Sequence, residues 1–212
     1  MRFRQLSVTI LLPALLGAAP VTPVAQRPGI PTALTCSSPV KPTDTAASLL
    51  DRFGSNARIE SYEDEYGEIE RGVVLWPGYP AQRLEVEFWD NQPGEGLTQV
   101  SRVMATGSSR WRVMGLGIGD DWQSISRVNG RGFQFDGFGY SSSGGTVSLL
   151  NGGKLSALPG GCRTIIWLAT ASGAKASGRL AEAARIGSDE PALRGARLTI
   201  HGIGIGLPLP RD

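Results

Sequence analysis

Glu85 and Glu87 are the carboxylates whose spacing best fits a reaction. They alternate with apolar residues in the run "QRLEVEFWD", a pattern that predicts a β-strand with both acids on one face, about 7 Å apart. Two carboxylates at such a separation suit an inverting glycosidase. The same pattern is typical of an ordinary solvated strand face. Sequence alone leaves both interpretations open.

The stretch "GLGIGDDWQSISRVNG", residues 115–130, resembles a glycine-rich phosphate-binding loop followed by a helix. Its glycines are spaced G-x-G-x-G, one residue short of the dinucleotide fingerprint, and no Gly-Lys-Ser/Thr follows. Asp120 and Asp121 lie at the helix N-terminus, where their charge opposes a bound phosphate. We therefore expect a strand and a helix capped by Asp120, and no nucleotide site.

The remaining chemistry-bearing residues are few. His201 is the only histidine of the chain, which excludes the usual zinc motifs. "GYSSSGG" departs from the serine nucleophile elbow. The acidic run from Glu60 to Glu70 lacks calcium-loop spacing, so we interpret it as a solvated face or an edge strand, with weak cation binding as the alternative. We predict no catalytic residue, no metal site and no cofactor.

Exposed aromatic residues are the better candidates for a binding site. The stretch "LWPGYP" places Trp76 and Tyr79 at a predicted hairpin tip, and the alternation places Trp89 on the same polar strand face as Glu85 and Glu87. Such rings anchor protein interfaces and sugar-stacking surfaces. The alternative is that they pack onto the domain beneath a loop.

The N-terminal segment indicates export. Arg2 and Arg4 precede a short apolar run and small residues, which predicts a signal peptide over residues 1–26. A proline-rich lead-in follows over residues 27–43. The only two cysteines, Cys36 and Cys162, are then expected to form a disulfide. Loss of the signal peptide would leave 19 basic and 19 acidic residues, and this balance gives no support for nucleic acid or an anionic membrane as a partner.

The hydrophobic pattern predicts an α+β domain over residues 44–212, built on a mainly antiparallel sheet with short helices and no membrane span. A helix that begins near Asp44 and ends at Gly54 precedes strands, and the order helix, glycine, strand, turn, strand recurs after Gly115. This recurrence suggests two tandem αββ units, at residues 44–90 and 115–153.

The phrase "GIGDDWQSISRVNGRGF" within that order resembles the repeats of β-lactamase-inhibitor-like proteins and of small outer-membrane assembly lipoproteins of the SmpA type. The segment "NGRGFQFDGFGY" is also similar to sequences of uncharacterised exported bacterial proteins. The chain differs from the assembly lipoproteins because it has no lipobox cysteine. The resemblance implies an exported protein-binding module and assigns no individual residue.

Three functions follow from these observations. The first is a non-catalytic periplasmic or secreted module that binds another envelope or extracellular protein through Trp76 and Tyr79, as an inhibitor or an assembly accessory. The second is a carbohydrate- or peptidoglycan-binding protein, or weak glycan hydrolase, that uses Trp89 with Glu85 and Glu87. The third is a structural envelope protein without a dedicated ligand.

Overall fold

A computed structural model describes residues 33–63, 69–92, 94–139, 145–170, 176 and 178–208. The predicted signal peptide and the first part of the lead-in lie outside these residues. The helices are α1 (Ala46–Phe53), α2 (Trp122–Asn129) and α3 (Arg179–Glu182), with 3-10 turns at Gly54–Asn56 and Pro191–Leu193. The strands are β1 (Ala57–Glu63), β2 (Ile69–Leu75), β3 (Leu84–Phe88), β4 (Val100–Ala105), β5 (Arg112–Val113), β6 (Leu116–Gly117), β7 (Gln134–Asp136), β8 (Gly145–Leu149), β9 (Arg163–Thr170), β10 (Arg185–Gly187) and β11 (Leu198–Gly206).

A nine-stranded sheet organises the described part of the chain. Its strand order is β1-β2-β3-β4-β11-β9-β8-β7-β10, and every neighbouring pair is antiparallel. Strands β5 and β6 form a separate two-stranded ribbon. The architecture confirms the predicted α+β class with a mainly antiparallel sheet and short helices. None of the described helices is long and apolar enough to cross a bilayer.

Each of the two longer helices begins at a polar cap. Thr45 caps α1 in a reciprocal capping box with Ser48, whereas the preceding Asp44 binds Arg52 with an N–O distance of 2.6 Å. Helix α2 is capped by Asp121, one residue later than the sequence predicted, and ends at Gly130 in the left-handed conformation. Helix α1 packs against β1 and β2, and α2 packs against β11.

The central strands β3, β4 and β11, together with the end of β2, bury one face of the sheet. Alternate residues point to the same face, and the matched positions Val73, Val86, Val103, Ile205 and Ile203 are all 0% exposed. This face is the apolar face. It forms the main hydrophobic core. The opposite face carries charged residues and is here called the polar face.

The predicted disulfide is present and joins Cys36 to Cys162. It ties the end of the lead-in to the loop before β9, across a sequence separation of 126 residues. Closing a loop of that length stabilises the fold by about 4–5 kcal/mol in the chain-entropy model. The described chain contains no free cysteine.

Candidate functional site

The polar face carries a row of four matched residues on four adjacent strands. Glu87 of β3 pairs with Arg102 of β4, Arg102 with Gly206 of β11, and Gly206 with Arg163 of β9. Because paired residues share a face, the carboxylate and both guanidinium groups lie on the same side of the sheet. The row therefore places Arg102 on one side of Gly206, which has no side chain, and Arg163 on the other.

The two candidate carboxylates lie on one face, as the alternation predicts, but they are not solvated. Glu85 is 8% exposed and Glu87 is 5% exposed. Arg83 donates from Nε to Oε1 of Glu85 at 3.2 Å, and the Arg102 guanidinium forms an ion pair with Glu87. Because both residues are buried, the alternative of an ordinary solvated strand face is wrong. Ion pairing makes the burial of these charges tolerable.

Glycine at alternate positions of β11 gives the polar face its shape. A Cβ atom on Gly202 would lie 2.4 Å from the Trp167 ring, one on Gly204 would lie 2.3 Å from Sδ of Met104, and one on Gly206 would lie 2.8 Å from Nε of Arg163. The large side chains of the neighbouring strands therefore lie flat across β11. Arg102 stacks on the Trp167 ring at 5.8 Å from its centroid, which adds a cation–π contact.

Strands β8 and β9 diverge beside this row. They pair at Gly145–Leu168 and Thr146–Trp167 only. Beyond that point β8 continues along β7, and β9 continues along β11 as far as Arg163. In this part of the described sheet each strand pairs with its outer neighbour and turns its other side toward the gap, where the Thr164 amide donates to the Leu155 carbonyl at 3.2 Å.

A groove of about 600 Å³ occupies the gap and crosses the polar face. Its rim includes Trp89, which is 53% exposed, and Leu149, which is 44% exposed. The polar residues that line the groove are Glu70, Glu87, Asn91, Ser101, Arg102, Thr146, Ser148, Ser156, Arg163 and Thr164. Thr164 pairs with Ile205, so its side chain lies on the apolar face, where its hydroxyl has no hydrogen-bond partner.

The three aromatic candidates are placed apart from one another. Trp76 begins the β2–β3 turn with φ 51°, and its ring packs between Phe53 and Trp111, 5.2 Å and 5.6 Å away between centroids. The residue is 7% exposed, so the structure favours the alternative in which this ring packs onto the domain. Tyr79 is 45% exposed but does not line the groove. Of the three, only Trp89 lies at the groove.

Tyr62 is a buried polar residue close to the groove that sequence reasoning did not find. It is 8% exposed, and its hydroxyl has no hydrogen-bond partner. Gly72 makes room for it, since a Cβ there would lie 2.6 Å from the hydroxyl. Burial raises the pKa of Tyr62 far above its ordinary value, and the negative charges of Glu87 and Glu85 raise it further.

The glycine-rich stretch forms a turn and a capped helix. Asp120 accepts a hydrogen bond from the Gly117 amide at 2.9 Å and forms an ion pair with Arg112. Asp121 accepts from the Ser124 side chain and amide, and these hydrogen bonds lower its pKa. The carboxylate of Asp121 thus takes the position that an anion would need.

The described residues contain no cluster of three or more His, Cys, Asp and Glu side chains that could hold a metal ion. His201 is exposed at the bulge in β11. The part of the acidic run that is described places Glu60 on β1, at the edge of the sheet, whereas residues 64–68 lie outside the described chain.

Sequence reasoning also missed Arg163 and the divergence of β8 from β9. The signal that could have shown part of the site is the alternating "HGIGIG" of β11, which predicts a strand with one bare face. Comparison with protein families, with characterised proteins and with solved structures finds no match to this chain.

Proposed function

We propose that the protein is a non-catalytic binding module and that its groove binds an extended peptide segment of another protein. The observation that carries the proposal is the divergence of β8 from β9, which leaves residues 147–149 and 165–166 of the described sheet facing a gap instead of each other. Next to them the Thr164 amide already donates to the Leu155 carbonyl at 3.2 Å, so the open part of this edge is short. Backbone groups along such a gap bind peptides by strand addition, in which main-chain hydrogen bonds supply affinity.

The charge of the groove favours a peptide that carries a carboxylate. Arg102 is ion-paired with Glu87, but Arg163 is exposed and has no acid within 4 Å among the described residues. A guanidinium group binds a carboxylate through two parallel hydrogen bonds. An acidic side chain or a C-terminal carboxylate beside Arg163 would fix the register of the bound segment.

The apolar rim supplies the second element of recognition. Trp89 and Leu149 are exposed on either side of the groove. Because residues i and i+2 of an extended peptide share a face, the segment would place an acidic residue against Arg163 and apolar residues two positions away against the rim. This chemistry supports the binding of a protein partner, in agreement with the resemblance to inhibitor-like and assembly proteins.

The proposal includes export to an oxidising compartment. The disulfide supports it, because such bonds persist in the periplasm and outside the cell. The signal peptide, whose residues are outside the described chain, stays a prediction that the N-terminal sequence of the mature protein would test.

The experiment is selection of displayed peptides on the oxidised protein, followed by fluorescence anisotropy with the enriched sequences. We expect Arg163→Glu to weaken binding at least tenfold, roughly the effect of losing a charged hydrogen-bond pair. Tyr79→Ala is the matched control, since this exposed ring lies outside the groove. Loss of binding in Tyr79→Ala with full binding in Arg163→Glu would move the interface to the β2–β3 turn.

A second candidate function is glycan binding in the same groove, and the exposed ring of Trp89 favours it. Trp89 lies beside the polar side chains of Asn91 and Glu87, the combination of stacking ring and hydrogen-bonding groups that sugars require. Titration with soluble peptidoglycan fragments, followed by tryptophan fluorescence, tests it. Saturable binding that Trp89→Ala abolishes, without enrichment of any peptide, would favour the glycan over the peptide.

A further inference from the structure

Strand β1 is an edge of the sheet that faces no other described strand. It pairs with β2 on one side only. Within it Ile59 is 41% exposed, and the side chain of the preceding Arg58 is 63% exposed. A seven-residue edge strand with an exposed isoleucine offers a row of backbone donors and acceptors to a further strand.

The other edge of the described sheet differs. Strand β10 has only three residues, and its central Ile186 is 0% exposed. Short edge strands are a common protection against edge-to-edge pairing. The two ends of the sheet are thus unequal, and β1 is the one suited to association.

The charges of β1 favour one register for pairing with a second copy. Arg58 and Glu60 already form an ion pair within the strand, and a partner strand that brings the opposite charge to each of them extends this pair into a network of four charges. Antiparallel pairing about a two-fold axis perpendicular to the sheet keeps the polar faces continuous, so only residues of the same parity can lie opposite each other. Centring the axis on Arg58 or on Glu60 places two like charges opposite each other. Centring it on Ile59 places Arg58 opposite Glu60 of the second copy, and Glu60 opposite Arg58 of the second copy.

We propose that β1 is a homodimer interface, in which two copies pair antiparallel about Ile59 and join their sheets into one. Opposite charges then lie across the new strand pair at two positions, with two isoleucines between them on the apolar side. Arg83, whose guanidinium lies 3.4 Å from Glu60, helps to hold that carboxylate on the polar face. This interface is independent of the groove and of the function proposed for it.

Charge reversal on one residue and on its partner tests the register. The Arg58→Glu variant places two glutamates opposite each other at both ends of the interface, and Glu60→Lys does the same with basic residues. We expect each variant alone to dimerise roughly tenfold more weakly than the parent protein. An equimolar mixture restores opposite charges at both positions, so sedimentation velocity should detect a mixed dimer close to the parent in affinity.

Two further variants keep the test decisive. Ile59→Lys places two lysines at the centre of the interface, and we expect only monomer in it at concentrations where the parent dimerises. Arg185→Glu, on the opposite edge, is the matched control and should dimerise as the parent does. Circular dichroism melting of each variant confirms that it is folded.

A parent protein that stays monomeric up to its solubility limit would overturn the proposal. So would a dimer that persists in Ile59→Lys, because the interface would then lie elsewhere. Failure of the mixture to exceed either charge variant alone would disprove the Ile59-centred register. Slow amide exchange at β1 that becomes fast in Ile59→Lys would support the pairing directly.

Discussion

The two faces of the central sheet are built by the same strands but hold different chemistry. On β11 the apolar face carries Ile203 and Ile205, whereas Gly204 and Gly206 occupy the polar face. Both faces bury side chains: the first does so by packing branched aliphatic residues, and the second by laying long side chains across bare backbone. The difference shows how a sheet can bury ion pairs without a second hydrophobic layer.

The largest effect is expected on the apolar face. Ile203 is fully buried between β4 and β9, and Ile203→Ala removes three carbon atoms from a packed core. We expect the free energy of unfolding to fall by about 4 kcal/mol, near the upper end for such truncations. Urea denaturation followed by tryptophan fluorescence measures it. A loss similar to that of a surface truncation would show that the apolar face is not the main core.

The second largest loss of stability is expected when the ion pair of the polar face is broken. Arg102→Met removes the guanidinium group that forms an ion pair with the buried Glu87, and we expect the free energy of unfolding to fall by about 3 kcal/mol, since removing one partner of a buried ion pair is costly.

The double variant Glu87→Gln with Arg102→Met removes both charges. It should therefore be more stable than Arg102→Met alone, and the same denaturation measurement compares them. A double variant that is less stable than both single variants would mean that other contacts of these side chains dominate.

A smaller loss is expected at a glycine of the polar face. In Gly204→Ala the new methyl group would lie 2.2 Å from the Val103 carbonyl oxygen, so the backbone must move. We expect a cost of about 2 kcal/mol from overpacking. The control is Gly78→Ala, where no atom lies within 4 Å of the new Cβ. Equal stabilities in the two variants would contradict the role that we assign to the bare face.

The smallest effect concerns helix α2, which packs against β11. Hydrogen bonds from the Ser124 side chain and amide hold the pKa of Asp121 below its ordinary value of 3.8. A lowered pKa means that the carboxylate stabilises the fold above that ordinary value, and that this contribution is lost as the pH falls through the folded-state pKa.

Asp121→Ala should therefore cost about 1 kcal/mol at neutral pH, the usual value of a helix cap. The difference from the parent should disappear in acid. Thermal melts over a pH series check both statements, with Asp51→Ala as an exposed acidic control that caps nothing. A difference that persists at the acid end would assign the effect to helix propensity rather than to the charged cap.

Much of the fold is predictable because its signals are local. Apolar alternation in "LEVEF" predicts β3, the polar residues just before Ala46 and Trp122 predict where two helices begin, and a single pair of cysteines predicts the disulfide. These patterns involve residues that are close in sequence or, for the cysteines, only one pairing.

The groove was not predictable for the opposite reason. Glu87, Arg102 and Arg163 meet only because β11 lies between β4 and β9, a neighbourhood that no local pattern specifies. Burial of Trp76 likewise depends on Phe53 and Trp111 from other segments. Alternation places a residue on a face, but it does not reveal whether neighbouring strands leave that face open.

The position of β11 also has a consequence for how the chain folds. This strand follows all the other described strands in sequence, yet it connects β1–β4 with β9, β8, β7 and β10. Until it inserts, β4 and β9 are themselves unpaired edges, so neither half of the sheet is complete. Contacts that join distant parts of a chain form slowly. Insertion of β11 is therefore the step that completes the sheet. During synthesis the protein can reach its cooperative native state only after residue 206 has left the ribosome.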